Sequence, residues 1–161
     1  MFEVHPVDER AAREIVAWTY GSPYDMYNLN PADLDAAASF ADPANGYQSV
    51  RNEEGELVAF LCFGPEARVA GGEYLDGPLD VGCGIRPDLT GRGLGPEIIR
   101  LAIEVGSGLY NAHSFRATIA AFNQRAQKAA GKAGFVSVAS FRRPSDDLPF
   151  VILERPTEAG R

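Results

Sequence analysis

Basic residues, cysteines and long apolar runs are all scarce in this chain. Lysine and arginine together number 15 against 22 aspartates and glutamates, giving a formal charge of −7 and a pI near 4.8. A surface of that average sign repels a phosphodiester backbone, so no nucleic-acid partner is expected, and it favours cationic partners such as amines. Two cysteines, Cys62 and Cys83, are too few for a disulfide scaffold and read as reduced thiols of a cytoplasmic protein. The longest apolar runs, such as Leu57 to Phe63, fall far short of the ~20 residues that span a bilayer, so no membrane role is expected. The N-terminus lacks the basic-then-apolar pattern of a signal peptide, and no repeat suggests a solenoid. His5 and His113 have no metal-ligand partner at a usual spacing, and no zinc pattern occurs, so no metal is expected.

What remains is an ordinary globular composition, 45% hydrophobic and 23% charged over 161 residues, read as one domain spanning 1–161. Residues 2–7 read as a strand. Asp8 then caps a helix over 8–19, with Ala11, Ile15 and Trp18 on one stripe. Asn30-Pro31 reads as the cap and first position of a second helix through Leu34, Ala37 and Ala38. Residues 47–52 and 56–64 form a hairpin about Asn52–Gly55, and the second of these strands is apolar on both faces. A strand over 79–86, a helix over 96–106, a strand over 115–122, a helix capped by Asn123, and strands over 135–141 and 150–153 follow. The order β-α-α-β-β-β-α-β-α-β-β is that of a mixed α/β layered domain.

The chemistry is concentrated in Val81-Gly-Cys-Gly-Ile-Arg86-Pro-Asp-Leu-Thr-Gly91-Arg-Gly-Leu-Gly95-Pro96. A strand feeds a glycine-rich turn, and the turn opens a helix. Unobstructed backbone N–H groups and the positive end of the helix dipole together suit a phosphate or pyrophosphate. The Rossmann fingerprint fails because its third glycine falls on Pro96, and a Walker A loop fails for want of Gly-Lys-Ser/Thr.

Thr90-Gly-Arg-Gly-Leu-Gly95, with the helix after it, resembles the acetyl-CoA pyrophosphate loop of the GNAT superfamily of N-acetyltransferases. Gly93 and Gly95 match the two small residues of that motif, while Thr90 stands where Gln or Arg is usual. Phe122-Asn123-Gln-Arg-Ala126 and Lys132-Ala-Gly134-Phe135 are similar to the family's Asn-x-x-Ala and Lys-x-Gly-Phe segment. The resemblance covers roughly residues 3–155. It implies a mostly antiparallel mixed sheet with a central splayed parallel strand pair, 79–86 and 115–122, and helices on both faces. It also implies acetyl-CoA as co-substrate. Thr90, Gly91, Arg92, Gly93, Leu94 and Gly95 would then hold the pyrophosphate, with Asn123 and Ala126 at the pantetheine arm. Backbone of Cys83, Gly84 and Ile85 would pair with pantetheine and stabilise the oxyanion. Gly82 and Gly84 suit close approach of a ligand to the strand.

Acetylating an amine requires a proton acceptor, because amines are mostly protonated near neutrality. Asp80, on the cofactor strand, is the nearest candidate base, with Glu73 and Asp76 behind it. The tyrosine that commonly protonates the leaving thiolate in this family falls on Ala130 here. Tyr24, Asp25 and Tyr27, between the first two helices, would border the acceptor pocket and suit an amine. Cys83 has no histidine placed to activate it and reads as a buried structural thiol. The expected activity is direct acetyl transfer to a small-molecule amine or a peptide N-terminus. The alternative is an acyl-CoA-binding regulatory module with little turnover, and transfer of a longer acyl group also stays open. Family members often dimerise, so a homodimer is an expectation.

Overall fold

The computed structural model describes residues 1–156. The chain divides into two compact units, one of Met1–Cys62 with Cys83–Arg92, the other of Phe63–Gly82 with Gly93 onward. Hydrogen-bonded neighbours give the seven-stranded order β1 (Glu3–Pro6), β2 (Gln48–Arg51), β3 (Leu57–Phe63), β4 (Leu79–Ile85), β5 (Phe115–Ala120), β7 (Pro149–Arg155) and β6 (Val136–Arg142), mostly antiparallel, with β4–β5 as its parallel pair. No helix among the described residues is long and apolar enough to cross a membrane.

In the first unit, β1 (Glu3–Pro6) and β3 (Leu57–Phe63) flank β2 (Gln48–Arg51), with Val4 opposite Val50 and Val50 opposite Ala59. The end of β4 (Leu79–Ile85) joins β3 here, and the Arg86 amide donates to the Val58 carbonyl at 2.9 Å. β3 is buried along nearly its whole length, as its two apolar faces require. Helix α1 (Glu9–Val16) starts at Asp8, whose Oδ1 accepts the Ala11 amide at 2.8 Å. The stripe Ala11, Ile15 and Trp18 packs with Val7 and Leu57, although Trp18 lies beyond the helix end. Helix α2 spans Leu34–Ala41 and is capped by Asp33, not by Asn30. Asn30 instead closes a preceding turn, its Oδ1 accepting the Ala32 amide. Ala37, Phe40 and Ala41 therefore meet the core, while Leu34 is 80% exposed.

In the second unit, β4 pairs in parallel with β5 (Phe115–Ala120) at Leu79↔Phe115 and Asp80↔Arg116, where the ladder stops. β7 (Pro149–Arg155) runs antiparallel along all of β5, and β6 (Val136–Arg142) covers its other edge. Helix α3 spans Gly95–Tyr110, one turn past the glycine at which the sequence suggests a stop. Gly106 is buried inside it because a Cβ there would meet Leu79, Phe115 and Phe63 side chains at 3.0–3.2 Å. The helix ends instead at Asn111, in the left-handed region at φ 54°. Helix α4 spans Gln124–Lys132.

Candidate active site

The Arg86–Val58 bond fixes which way the backbone of β4 faces. Alternation along an antiparallel pair directs the peptide groups of Gly84 and Arg86 to β3, and those of Cys83 and Ile85 to the opposite edge. On that edge the Ile85 carbonyl accepts the Tyr20 phenol at 2.7 Å. Gly84 lies directly across from Phe60, and a Cβ on it would fall 2.1 Å from the Phe60 ring. The Cβ side of Gly84 is thus filled by a side chain of the protein, and packing against Phe60 is a reason for glycine at this position. Cys83 is exposed, not buried.

Past β4, the chain turns through Pro87–Leu89, a short 3-10 turn. Arg86 is gripped by Asp88, through Nε at 2.7 Å and Nη2 at 3.2 Å, and its Nη1 donates to the Leu57 carbonyl at 3.1 Å. The hydrogen bond from Arg86 holds the Asp88 carboxyl below the usual carboxylate range, and Arg92 adds to that pull. With Asp88 neutralised by Arg86, Arg92 is the loop's surplus positive charge. Thr90 Oγ1 donates to the Pro87 carbonyl at 2.8 Å, so its hydroxyl closes the turn and does not face outward. Gly91 and Gly93 sit at φ +74° and +80°, a backbone that only glycine adopts freely, and nothing lies near a Cβ on Gly93. Among the described residues, the amides of Gly91, Arg92, Gly93, Leu94 and Gly95 donate to no protein atom. Leu94 offers no side-chain cap to α3, and Pro96 at the first turn removes one donor without loss. Gly95 is held for packing, with a Cβ there 3.1 Å from the Ala129 methyl.

Asp80 does not have the setting of a general base. It is 1% exposed and accepts three guanidinium hydrogen bonds: Arg116 Nε on Oδ1 at 2.7 Å, and Arg116 Nη2 and Arg68 Nε on Oδ2 at 2.8 Å each. Arg116 is itself 3% exposed, and the bond to Asp80 raises its pKa. Both guanidiniums lie over the Tyr74 ring, at 5.1 and 5.5 Å from its centroid, and Tyr74 Oη meets Thr118 Oγ1 at 2.9 Å. This carboxylate neutralises a buried arginine and pins the 68–75 segment to β5; a proton taken from an amine would undo that pairing. Glu73 and Asp76, in the same segment, are exposed.

Tyr24, Asp25 and Tyr27 lie in one 3-10 turn, Tyr24–Tyr27, so the two rings sit at three-residue spacing with the exposed Asp25 between them. Tyr20 opens this loop, and its bond to a carbonyl 65 residues away leaves no local signal in the sequence. Arg116 does leave one: an aspartate and an arginine stand at the second positions of two strands, Asp80 and Arg116, and pair directly. Asn123 caps α4, its Oδ1 accepting the Ala126 amide at 3.0 Å. The amide of Ala126 is therefore already engaged, and the Asn-x-x-Ala spacing is that of an N-cap. Ala130 is a core residue of α4. No group of His, Cys, Asp or Glu among the described residues could hold a metal ion.

Residues 3–136 match the acetyltransferase (GNAT) domain family. No curated protein sequence matches significantly. Among solved structures, the chain is similar to the aminoglycoside acetyltransferase AAC(6')-Ib in complex with coenzyme A and kanamycin, with a TM-score of 0.77 and 17% identity over 99% of this chain and 96% of that one. A spermidine N-acetyltransferase chimera from Vibrio cholerae and hSSAT gives 0.69 and 15% over 99% and 96%. A GNAT-family acetyltransferase from Bacillus anthracis gives 0.72 and 14% over 95% and 93%.

Proposed function

The chain belongs to the acetyltransferase (GNAT) family, and on that premise we propose that it moves the acetyl group of acetyl-CoA directly to the primary amine of a small cationic molecule or a peptide N-terminus. The observation that carries this reading is the run of unpartnered amides from Gly91 to Gly95, leading into the uncapped N-terminus of α3. Such a run suits the pyrophosphate of the co-substrate, since each amide supplies a donor and the helix end adds partial positive charge. Arg92 adds a full charge to the same loop. The outward peptide group of Cys83 and the outward N–H of Ile85, whose carbonyl holds the Tyr20 phenol, suit the pantetheine arm, and an N–H there can steady a developing oxyanion. Acetyl-CoA supplies the activated acyl thioester.

For the acceptor, support comes from charge and from the neighbours. The chain carries a net −7, and the similar structures include enzymes for aminoglycosides and for spermidine, both polycationic amines. Tyr24 and Tyr27 share one face of their 3-10 turn and Asp25 lies on the same turn, an aromatic surface with a nearby carboxylate that suits an ammonium group. Asp80 has no part in the proton transfer in this account.

Ala130 favours a second reading, a module that binds acyl-CoA with little turnover, since α4 supplies no tyrosine hydroxyl at that position. Two measurements separate them. Acetyl-CoA should raise the melting temperature by linkage, and thiol release should follow when kanamycin, spermidine or an alanine-terminated peptide is added. A thermal shift with silence across the amines supports the binding module, and no shift at millimolar acetyl-CoA contradicts both.

A further inference from the structure

Within the first unit, Tyr20 ties the loop that carries Tyr24, Asp25 and Tyr27 to the end of β4. Its phenol donates to the Ile85 carbonyl at 2.7 Å. Its own backbone is clamped on both sides by one side chain: the Tyr20 amide donates to Asn28 Oδ1 at 2.6 Å, and Asn28 Nδ2 donates to the Tyr20 carbonyl at 3.2 Å. The two ends of the loop are thereby closed on each other. The Tyr27 ring meets the Tyr20 ring edge-on, with centroids 6.5 Å apart and planes at 77°. The loop is closed on itself, and its phenol ties it to the strand at one defined atom, the Ile85 carbonyl.

The strand end does not depend on that tether. The Arg86 amide holds the Val58 carbonyl at 2.9 Å, and Arg86 Nη1 holds the Leu57 carbonyl at 3.1 Å. Loss of the phenol would loosen the loop at this tie and leave the Cys83–Ile85 edge in place.

We infer that Tyr20 is a positioning residue for the acyl acceptor. Through the Ile85 carbonyl it sets the Tyr24–Tyr27 turn at a fixed place along the strand edge that presents Cys83 and Ile85, and so fixes how the amine approaches. This rests on the acetyl-transfer reading above and adds to it a residue that the family motifs do not contain.

The test uses the full chain with Tyr20→Phe, Asn28→Ala and the double variant, assayed with acetyl-CoA and with kanamycin and spermidine as amines. Each single variant should lower kcat/KM for the amine about three- to tenfold, the scale of one lost hydrogen bond. Acetyl-CoA affinity should be unchanged, and the double variant should lose no more than the weaker single, because both cut one tie. In the cofactor-free protein, hydrogen exchange over 20–28 should quicken in Tyr20→Phe while 57–61 keeps its protection. Unchanged amine kinetics in an active enzyme, additive losses, a matching fall in acetyl-CoA affinity, or unchanged exchange over 20–28 would each overturn the role of Tyr20 alone. A wild-type chain inert toward acetyl-CoA would overturn the acetyl-transfer reading and this inference together.

Discussion

Three guanidinium hydrogen bonds converge on Asp80, and Arg116 beside it has almost no access to water. Replacing Asp80 by Asn should therefore cost about 3–5 kcal/mol of stability, because it leaves a buried arginine without its counter-charge. Chemical denaturation checks the loss. The pH–rate profile of the surviving enzyme should keep its shape; loss of the acidic limb would restore Asp80 as the base. At Gly84 even a methyl group meets the Phe60 ring, so Gly84→Ala should cost about 1–3 kcal/mol by overpacking, read as a lowered melting temperature.

At the scale of elements, α4 offers a test of what the Asn-x-x-Ala spacing does. Asn123→Ala should lose about 1 kcal/mol of cap energy, and Asn123→Ser, which keeps a capping oxygen, should recover most of it together with acetyl-CoA affinity. If Ser restores stability and leaves affinity low, the amide of Asn123 has a direct part in binding. Element order was legible in the sequence because strand and helix periods are strong where they bury a face, as in Leu57–Phe63 and in the Ala11–Ile15 stripe. Boundaries were less legible where two signals compete. Asn30-Pro31 and Asp33 are both good starts, and the later one places Ala37, Phe40 and Ala41 on the core. Gly106 has the look of a stop, and only packing against Leu79, Phe115 and Phe63 explains a glycine inside α3. The glycine loop could be read directly, since it is continuous in the chain. Asp80's partners, and the Ile85 carbonyl that accepts the Tyr20 phenol, are brought into place by the fold, and no spacing rule reaches them.

For the molecule as a whole, the net charge of −7 and a polyanionic co-substrate pull in opposite directions. On the proposed reading, acetyl-CoA is held by the local positive field of the Gly91–Gly95 amides and Arg92, and the general acidity is left to serve a cationic acceptor. KM for spermidine should accordingly rise between about 0.01 and 0.15 M salt, as the Debye length shrinks from ~30 to ~8 Å. A KM that ignores salt would separate the charge excess from acceptor binding. The central claim is that the Gly91–Gly95 loop at the start of α3 holds acetyl-CoA. Calorimetric titration of acetyl-CoA into the wild type, Gly93→Ala and Gly93→Asp tests it most directly, because both variants share the strain of a side chain at φ +80° and only one adds a negative charge. Acetyl-CoA should bind the wild type, bind Gly93→Ala more weakly and not bind Gly93→Asp; equal affinities for the two variants would move the pyrophosphate away from this loop.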